Sequence, residues 1–296
     1  MEWLSHASMF VWYASILIVI GAIGAVRVCS STSAGDVVSV RWAQGSLRIA
    51  RIVMPLMVLA VAARLAVQTW QSFGTDQPLL AFAVVIINET PWGTGWFWQM
   101  CASVAAWILI VALSTARWPV LLGAAVATGL TVGLTGHAAG ATEYRTLLVA
   151  SHGVHVAAAG LWLGTLGVVM AVTRRVTDGA GDERAAFTRA IDRFSPQAIP
   201  SVVLLVVSGV VAGWQHVNSL DGLFTPYGFV LMAKVVTFGC AALCGFYNWR
   251  VVRPTLGTHQ ESIRHLRGMA ALELVFGLLA LVLTSVLTSM PMPDHE

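Results

Sequence analysis

The histidines are the residues of this chain best able to bind a metal, and six of the eight flank apolar stretches. His152 and His155 are three residues apart, which places both rings on one face of a helix. Two imidazoles on one face suit a soft or borderline metal, copper or zinc in particular. His137 follows Gly136 at the end of the preceding apolar stretch, with only a short loop between the two. The spacing therefore predicts a metal site formed by His137, His152 and His155.

Other side chains near the same predicted level could assist this site or lie on the path of the metal. They are His6, His216, His295, Met290 and Met292. Thioether sulfur favours Cu(I), but the sequence leaves the oxidation state open between Cu(I) and Cu(II). The alternative interpretation is that these boundary histidines are simply hydrated and that the methionines only fill apolar space.

The composition excludes a water-soluble protein. Apolar residues make up 57% of the 296, charged residues only 10%, and the mean hydropathy is +0.77. Soluble domains carry about 25% charged residues, so a soluble enzyme, a disordered chain and a nucleic-acid-binding protein are excluded. No Gly-rich loop ends in Gly-Lys-Ser/Thr, and no GxSxG or HExxH motif is present. We therefore expect neither enzymatic activity nor ATP hydrolysis.

The elements that must position the histidines are membrane-spanning helices. Crossing a bilayer takes about 20 apolar residues in a helix, and continuous apolar runs favour helices over barrel strands. Eight stretches qualify: 8–28, 50–70, 97–115, 118–138, 150–173, 197–216, 229–249 and 269–290. The prediction is an all-α, polytopic integral membrane protein with eight transmembrane helices. The polar segment 174–196 is expected to be a cytoplasmic linker.

Basic residues alternate sharply between successive loops. The loops after the first, third, fifth and seventh stretches hold 14 of the 17 lysine and arginine residues. Basic loops face the cytoplasm, so the sequence predicts that both termini lie on the opposite, periplasmic side. The predicted histidine site then lies at the outer face of the membrane.

Three charged residues fall inside the predicted spans. Arg64 and Lys234 lie toward the outer side, and Glu273 lies near the cytoplasmic end of the last span, where we expect it to meet Asn248 or a nearby arginine. Charges inside a membrane are functional candidates, although long basic side chains also snorkel to the interface. Two cations beside a metal site disfavour metal binding unless a carboxylate compensates. Glu89 and Glu143 are the nearest in sequence.

One cysteine pair could extend the path of the metal. Cys240 and Cys244 share a helix face, and thiols bind Cu(I) well. Free cysteines are equally common as small apolar packing residues, so their role stays open.

These residues resemble the copper resistance D family of bacterial inner-membrane proteins. The likeness is carried by Gly136-His137-Ala138, the run from His155 to Trp162-Leu-Gly164, Phe194-Ser195, Lys234, Asn248-Trp-Arg250 with Pro254, and Leu266-Arg267 with Glu273. Residues 134–296 resemble the family's helical domain, and 1–133 its additional N-terminal helices, including Arg64. Thr165 stands where a second glycine is common.

The resemblance implies copper import across the inner membrane beside a periplasmic copper-binding partner. It makes His137, His155, Trp162, Lys234 and Glu273 the family-like positions. Copper captured at the outer histidines would then cross the lipid bilayer between the fourth to eighth helices. Nothing in the sequence suggests a nucleic-acid partner.

Two other functions fit the same residues. A haem-binding membrane protein or haem-modifying enzyme would use the histidines as axial ligands and Arg64 and Lys234 for the propionates, and a Soret band would reveal it. A protein that holds or senses copper without transporting it would bind the metal but show no uptake in proteoliposomes.

Overall fold

The computed structural model describes residues 2–30, 36–140, 143–176, 181–216, 220–256, 261–288 and 290. Within these ranges the chain is helical and contains no strand. The α-helices are α1 Glu2–Cys29, α2 Val37–Phe73, α3 Leu79–Glu89, α4 Pro91–Ala112, α5 Trp118–Leu130, α6 Arg145–Ala159, α7 Thr165–Val172, α8 Asp182–His216, α9 Pro226–Tyr247 and α10 Ser262–Leu287.

The predicted number of membrane-crossing helices is confirmed. Within the described ranges, eight helical segments are long and apolar enough to cross a membrane: Ala7–Cys29, Val37–Phe73, Pro91–Ala112, Thr115–Thr135, Arg145–Val172, Asp182–Gly213, Pro226–Thr255 and Ser262–Leu287. The all-α, polytopic class is therefore correct, while the sidedness of the termini stays a prediction. We call the end of the bundle that carries Arg51 and Arg267 the arginine end, and the opposite end, nearer His152, the histidine end.

Helix α1 lies at the centre of the bundle. It packs against α2, α5 and α7, and its large side chains Trp12, Ile16 and Ile20 are at most 1% exposed. Lipid tails are as apolar as leucine, so close packing between helices, more than removal from water, must hold such a bundle together. Helix α9 lies at the periphery, where it packs mainly on α10.

Two segments differ from the sequence-based expectation. The predicted linker 174–196 is wrong for most of its length, because α8 begins at Asp182 and continues into the sixth span. Acidic residues in the first turn suit a helix N-terminus, and Arg41 pairs with Glu183 there at 2.5 Å. The segment between the second and third spans contains α3, which at 11 residues is too short to cross a membrane.

Arginine side chains at the arginine end bind the carbonyl ends of neighbouring helices. Arg51 donates to the carbonyls of Ile110 and Leu113 at 3.0 Å each, at the C-terminal end of α4. Arg184 and Arg267 do the same for helices that end nearby; their acceptors are the Leu256 and Thr173 carbonyls. The last four backbone carbonyls of a helix have no donor within that helix, and lipid tails cannot supply one. These guanidinium groups therefore provide the hydrogen-bond donors that the helix ends lack.

Two spans contain a π-helical turn, at Gly160–Gly164 between α6 and α7 and at Asn248–Val252 after α9. A π turn holds one residue more than an α turn and recurs at functional sites. The first of these turns lies against α1, where Gly21 and Gly164 bring the two backbones together. The extra residue also rotates the side chains of each turn relative to those of a continuous α-helix.

Candidate functional site

The histidine end places two of the predicted ligands on α6 in polar surroundings. The Nδ1 atom of His155 lies 2.9 Å from the Ser208 hydroxyl on α8. The Nε2 atom of His152 lies 3.4 Å from the Tyr13 hydroxyl on α1. Both imidazoles are half-buried, and His152 lies within electrostatic range of His155. The sequence spacing thus puts both rings in the interior of the bundle.

The third predicted ligand is only partly described. The backbone at His137 begins a short 3-10 turn, while its side chain lies outside the described part of the structure. Gly136, one residue earlier, lies against the His152 ring: a Cβ atom added there would be 3.1 Å from Nδ1. Among side chains that the structure describes, no three His, Cys, Asp or Glu come together to hold a metal. The His137, His152 and His155 site stays a prediction.

The accessory candidates are placed unevenly. His6 lies on α1 and His216 ends α8, but their side chains lie outside the described residues, as do Met292 and His295 entirely. Met290 is half-buried just after α10. Their part in metal binding stays a prediction.

The basic residues of the spans occupy different surroundings. Lys234 on α9 is half-buried and lies within electrostatic range of His155. Arg64 is only 4% exposed and does not snorkel. The candidates for compensating carboxylates, Glu89 and Glu143, are exposed and form no ion pair with either cation within the described ranges.

A buried carboxylate lies deeper in the bundle. Glu273 on α10 is 2% exposed, and the Trp162 indole N–H donates to its Oε1 at 2.7 Å. The side chain of Asn248, whose amide donates to the Leu266 carbonyl at 3.4 Å, lies within interaction range of this carboxylate, as the sequence predicted. Trp162 and Asn248 belong to the two π turns, so each irregular turn brings a polar side chain close to the same acidic group. A burial this complete costs free energy unless such donors compensate.

The cysteine pair lies next to this carboxylate. Cys244 is buried within electrostatic range of both Glu273 and Cys240. Gly245 packs directly against the carboxylate, since a Cβ atom added there would be 2.9 Å from Glu273 Oε1. A carboxylate and a thiol that are both buried and near each other can each donate an electron pair to a soft or borderline cation.

Several residues of these sites were not foreseen from the sequence. Tyr13 and Ser208 contact the histidines, and Gln99 and Thr135 contact Arg64. The available signal was a polar residue inside an apolar span, because such groups in a membrane tend to have a specific partner. The sequence could not say which partner, since that depends on how the helices are rotated.

Replacing Trp162 with phenylalanine is expected to lower the free energy of unfolding by about 2 kcal/mol. The variant keeps an aromatic ring against Phe238 but removes the only donor that Trp162 offers to the buried carboxylate. Titration of the purified protein with denaturing detergent measures the loss. Trp98→Phe is the control, because that ring is 59% exposed, and equal stability of the two variants would contradict the assignment.

The fold and these polar groups define the class of protein. It is a multi-pass helical membrane protein with half-buried imidazoles at one end of the bundle and a buried carboxylate further in. Residues 1–145 match the family Copper resistance protein D-like, N-terminal domain, and residues 188–287 match Copper resistance protein D. The chain belongs to the copper resistance D family.

A curated relative is the copper transport protein CutJ of Bacillus subtilis (strain 168). It is 28% identical over 162 residues, which cover 54% of this chain and 28% of that protein. This chain therefore corresponds to only part of the relative's length. No solved structure matches the chain. The division into parts 1–133 and 134–296 stays a prediction.

Proposed function

We propose that this protein carries copper across the bacterial inner membrane without ATP hydrolysis, and that His137, His152 and His155 capture the metal at the periplasmic face. Membership of the copper resistance D family and the similarity to a copper transport protein of Bacillus subtilis support copper as the cargo. A periplasmic copper-binding protein would deliver the metal to the histidines.

The observation that carries this proposal is that one span bears groups at two successive levels. On Arg145–Val172, His152 and His155 lie near the histidine end, and Trp162 binds the buried Glu273 further along. At about 1.5 Å per residue, Trp162 is about 10 Å beyond His155. Copper would leave the imidazoles and next meet the Glu273 carboxylate with Cys244 beside it.

The distribution of charge also supports this order, in which copper first binds the imidazoles and then meets the Glu273 carboxylate. A metal cation that enters a medium of low dielectric needs a compensating negative group, and Glu273 is the buried carboxylate within the described spans. Neutral imidazoles at the entrance can accept and release copper, whereas the carboxylate offsets its charge where water is scarce.

Copper uptake into proteoliposomes tests the proposal. The triple variant with alanine at 137, 152 and 155 is expected to lose at least about tenfold in copper affinity and to show no uptake. The reason is that all three proposed imidazole ligands are removed. His265→Ala is the matched control, since this exposed histidine lies at the arginine end.

Each outcome decides a different part of the proposal. Unchanged copper affinity in the triple variant would exclude the histidine site. Copper binding with no uptake by the unaltered protein would replace transport with copper holding or sensing. A Soret band in the purified protein would instead indicate haem.

A further inference from the structure

The region around Arg64 contains an excess of buried hydrogen-bond donors and of positive charge. Arg64 on α2 is 4% exposed, and its Nη1 atom donates to Gln99 Oε1 on α4 and to Thr135 Oγ1, at 3.1 Å each. Its guanidinium carbon lies 3.9 Å from the centre of the Trp12 ring on α1. Four spans therefore meet at this one cation.

Three N–H groups in this cluster have no acceptor within the described residues. They are Arg64 Nε, Gln99 Nε2 and Trp12 Nε1, and each is buried. Gln99 and Trp12 are 0% and 1% exposed. The side chains touch one another, since Gln99 bonds the guanidinium and Trp12 stacks on it. Buried donors are nearly always satisfied, so three orphans in one cluster point to a missing acceptor.

The positive charge of Arg64 favours an anion over a water molecule as the missing acceptor. No described carboxylate lies within ion-pair distance of Arg64. Contact with an aromatic ring offsets only a small part of the cost of burying an unpaired cation. A water molecule could satisfy the donors but would leave the positive charge uncompensated.

We propose that Arg64, Trp12 and Gln99 bind a small monovalent anion of the halide class. The near-complete burial of all three side chains favours a monatomic ion over a phosphate group. Each donor would contribute one N–H to the ion, and the guanidinium would neutralise it. The site lies beside Tyr13, whose hydroxyl contacts His152, so the anion occupies the same level of the bundle as the predicted copper ligands. The proposal itself does not depend on copper transport.

Thermal unfolding of the purified full chain in detergent, without copper, tests this site. Replacing gluconate in the buffer with chloride or bromide is expected to raise the unfolding midpoint by about 3 °C, because an ion that binds only the folded state stabilises that state. The Arg64→Gln variant should lose this response. Arg51→Gln should keep it, because Arg51 lies on the same helix and already binds carbonyl groups.

Gln99→Glu provides a test that survives even if Arg64→Gln does not fold. This substitution places a carboxylate of nearly the same shape beside Arg64, so the variant should be independent of chloride and, in gluconate, at least as stable as the unaltered protein in chloride. The proposal is overturned if the unaltered protein melts equally in all anions, if only inorganic phosphate stabilises it, or if Gln99→Glu responds to chloride as the unaltered protein does.

Discussion

Adding one methyl group at Gly21 is expected to lower the free energy of unfolding by about 3 kcal/mol, at the upper end for an overpacked core. The added Cβ atom would lie 2.0 Å from the carbonyl carbon of Gly164, far inside van der Waals contact. The obstacle is backbone, which cannot rotate away as a side chain would. The Gly21→Ala variant must therefore separate α1 from the π turn Gly160–Gly164.

The controls for this prediction are two other helical glycines. Added Cβ atoms at Gly239 and Gly123 would meet nothing within 4 Å. Alanine at either position should raise stability by about 0.5 kcal/mol through its better helix propensity. Unfolding in denaturing detergent compares the three variants. A Gly21→Ala protein as stable as the Gly239→Ala protein would show that α1 and the π turn do not meet as described.

The Glu273→Gln variant is expected to lose at least about tenfold in copper uptake while it keeps its fold and its copper affinity at the histidines. Glutamine retains an oxygen that can accept the Trp162 N–H, so the hydrogen bond at 2.7 Å can persist. The substitution removes the negative charge that we propose offsets a passing copper ion in a medium of low dielectric. A tenfold change corresponds to about 1.4 kcal/mol, well below the cost of an uncompensated buried charge.

Two measurements separate this role from a structural one. Uptake by proteoliposomes and equilibrium copper binding are compared in Glu273→Gln and in Glu183→Gln, whose carboxylate is half exposed in an ion pair at the arginine end. Normal uptake by Glu273→Gln would assign the carboxylate to helix packing alone. A parallel loss of binding would place it within the capture site instead.

The number and approximate position of the spans could be predicted because hydropathy depends only on neighbouring residues. The same reasoning missed α3, since a helix of 11 residues falls below the length of a span. It also placed a linker where α8 begins, because Asp182 and Glu183 are polar although they form the first turn of a helix. Polarity indicates exposure to water at the membrane surface and does not by itself indicate loss of helical structure.

The pairing of side chains between helices could be predicted only in part. Asn248 was expected near Glu273 because both lie toward the arginine end of adjacent spans. Trp162 was singled out by its resemblance to the family, yet its bond to Glu273 depends on the rotation that the π turn introduces. The environment of Arg64 was equally hidden, since Trp12, Gln99 and Thr135 come from three other spans.

The arginines at the arginine end have a consequence for biosynthesis. The charges that direct each loop to one side during insertion also hold the carbonyl termini of finished helices, as Arg51, Arg184 and Arg267 do. Lysine carries the same charge but lacks the planar fork of N–H donors. Selection on the orientation of the nascent chain alone would accept either residue, so arginine at these three positions meets a second demand, made by the assembled protein.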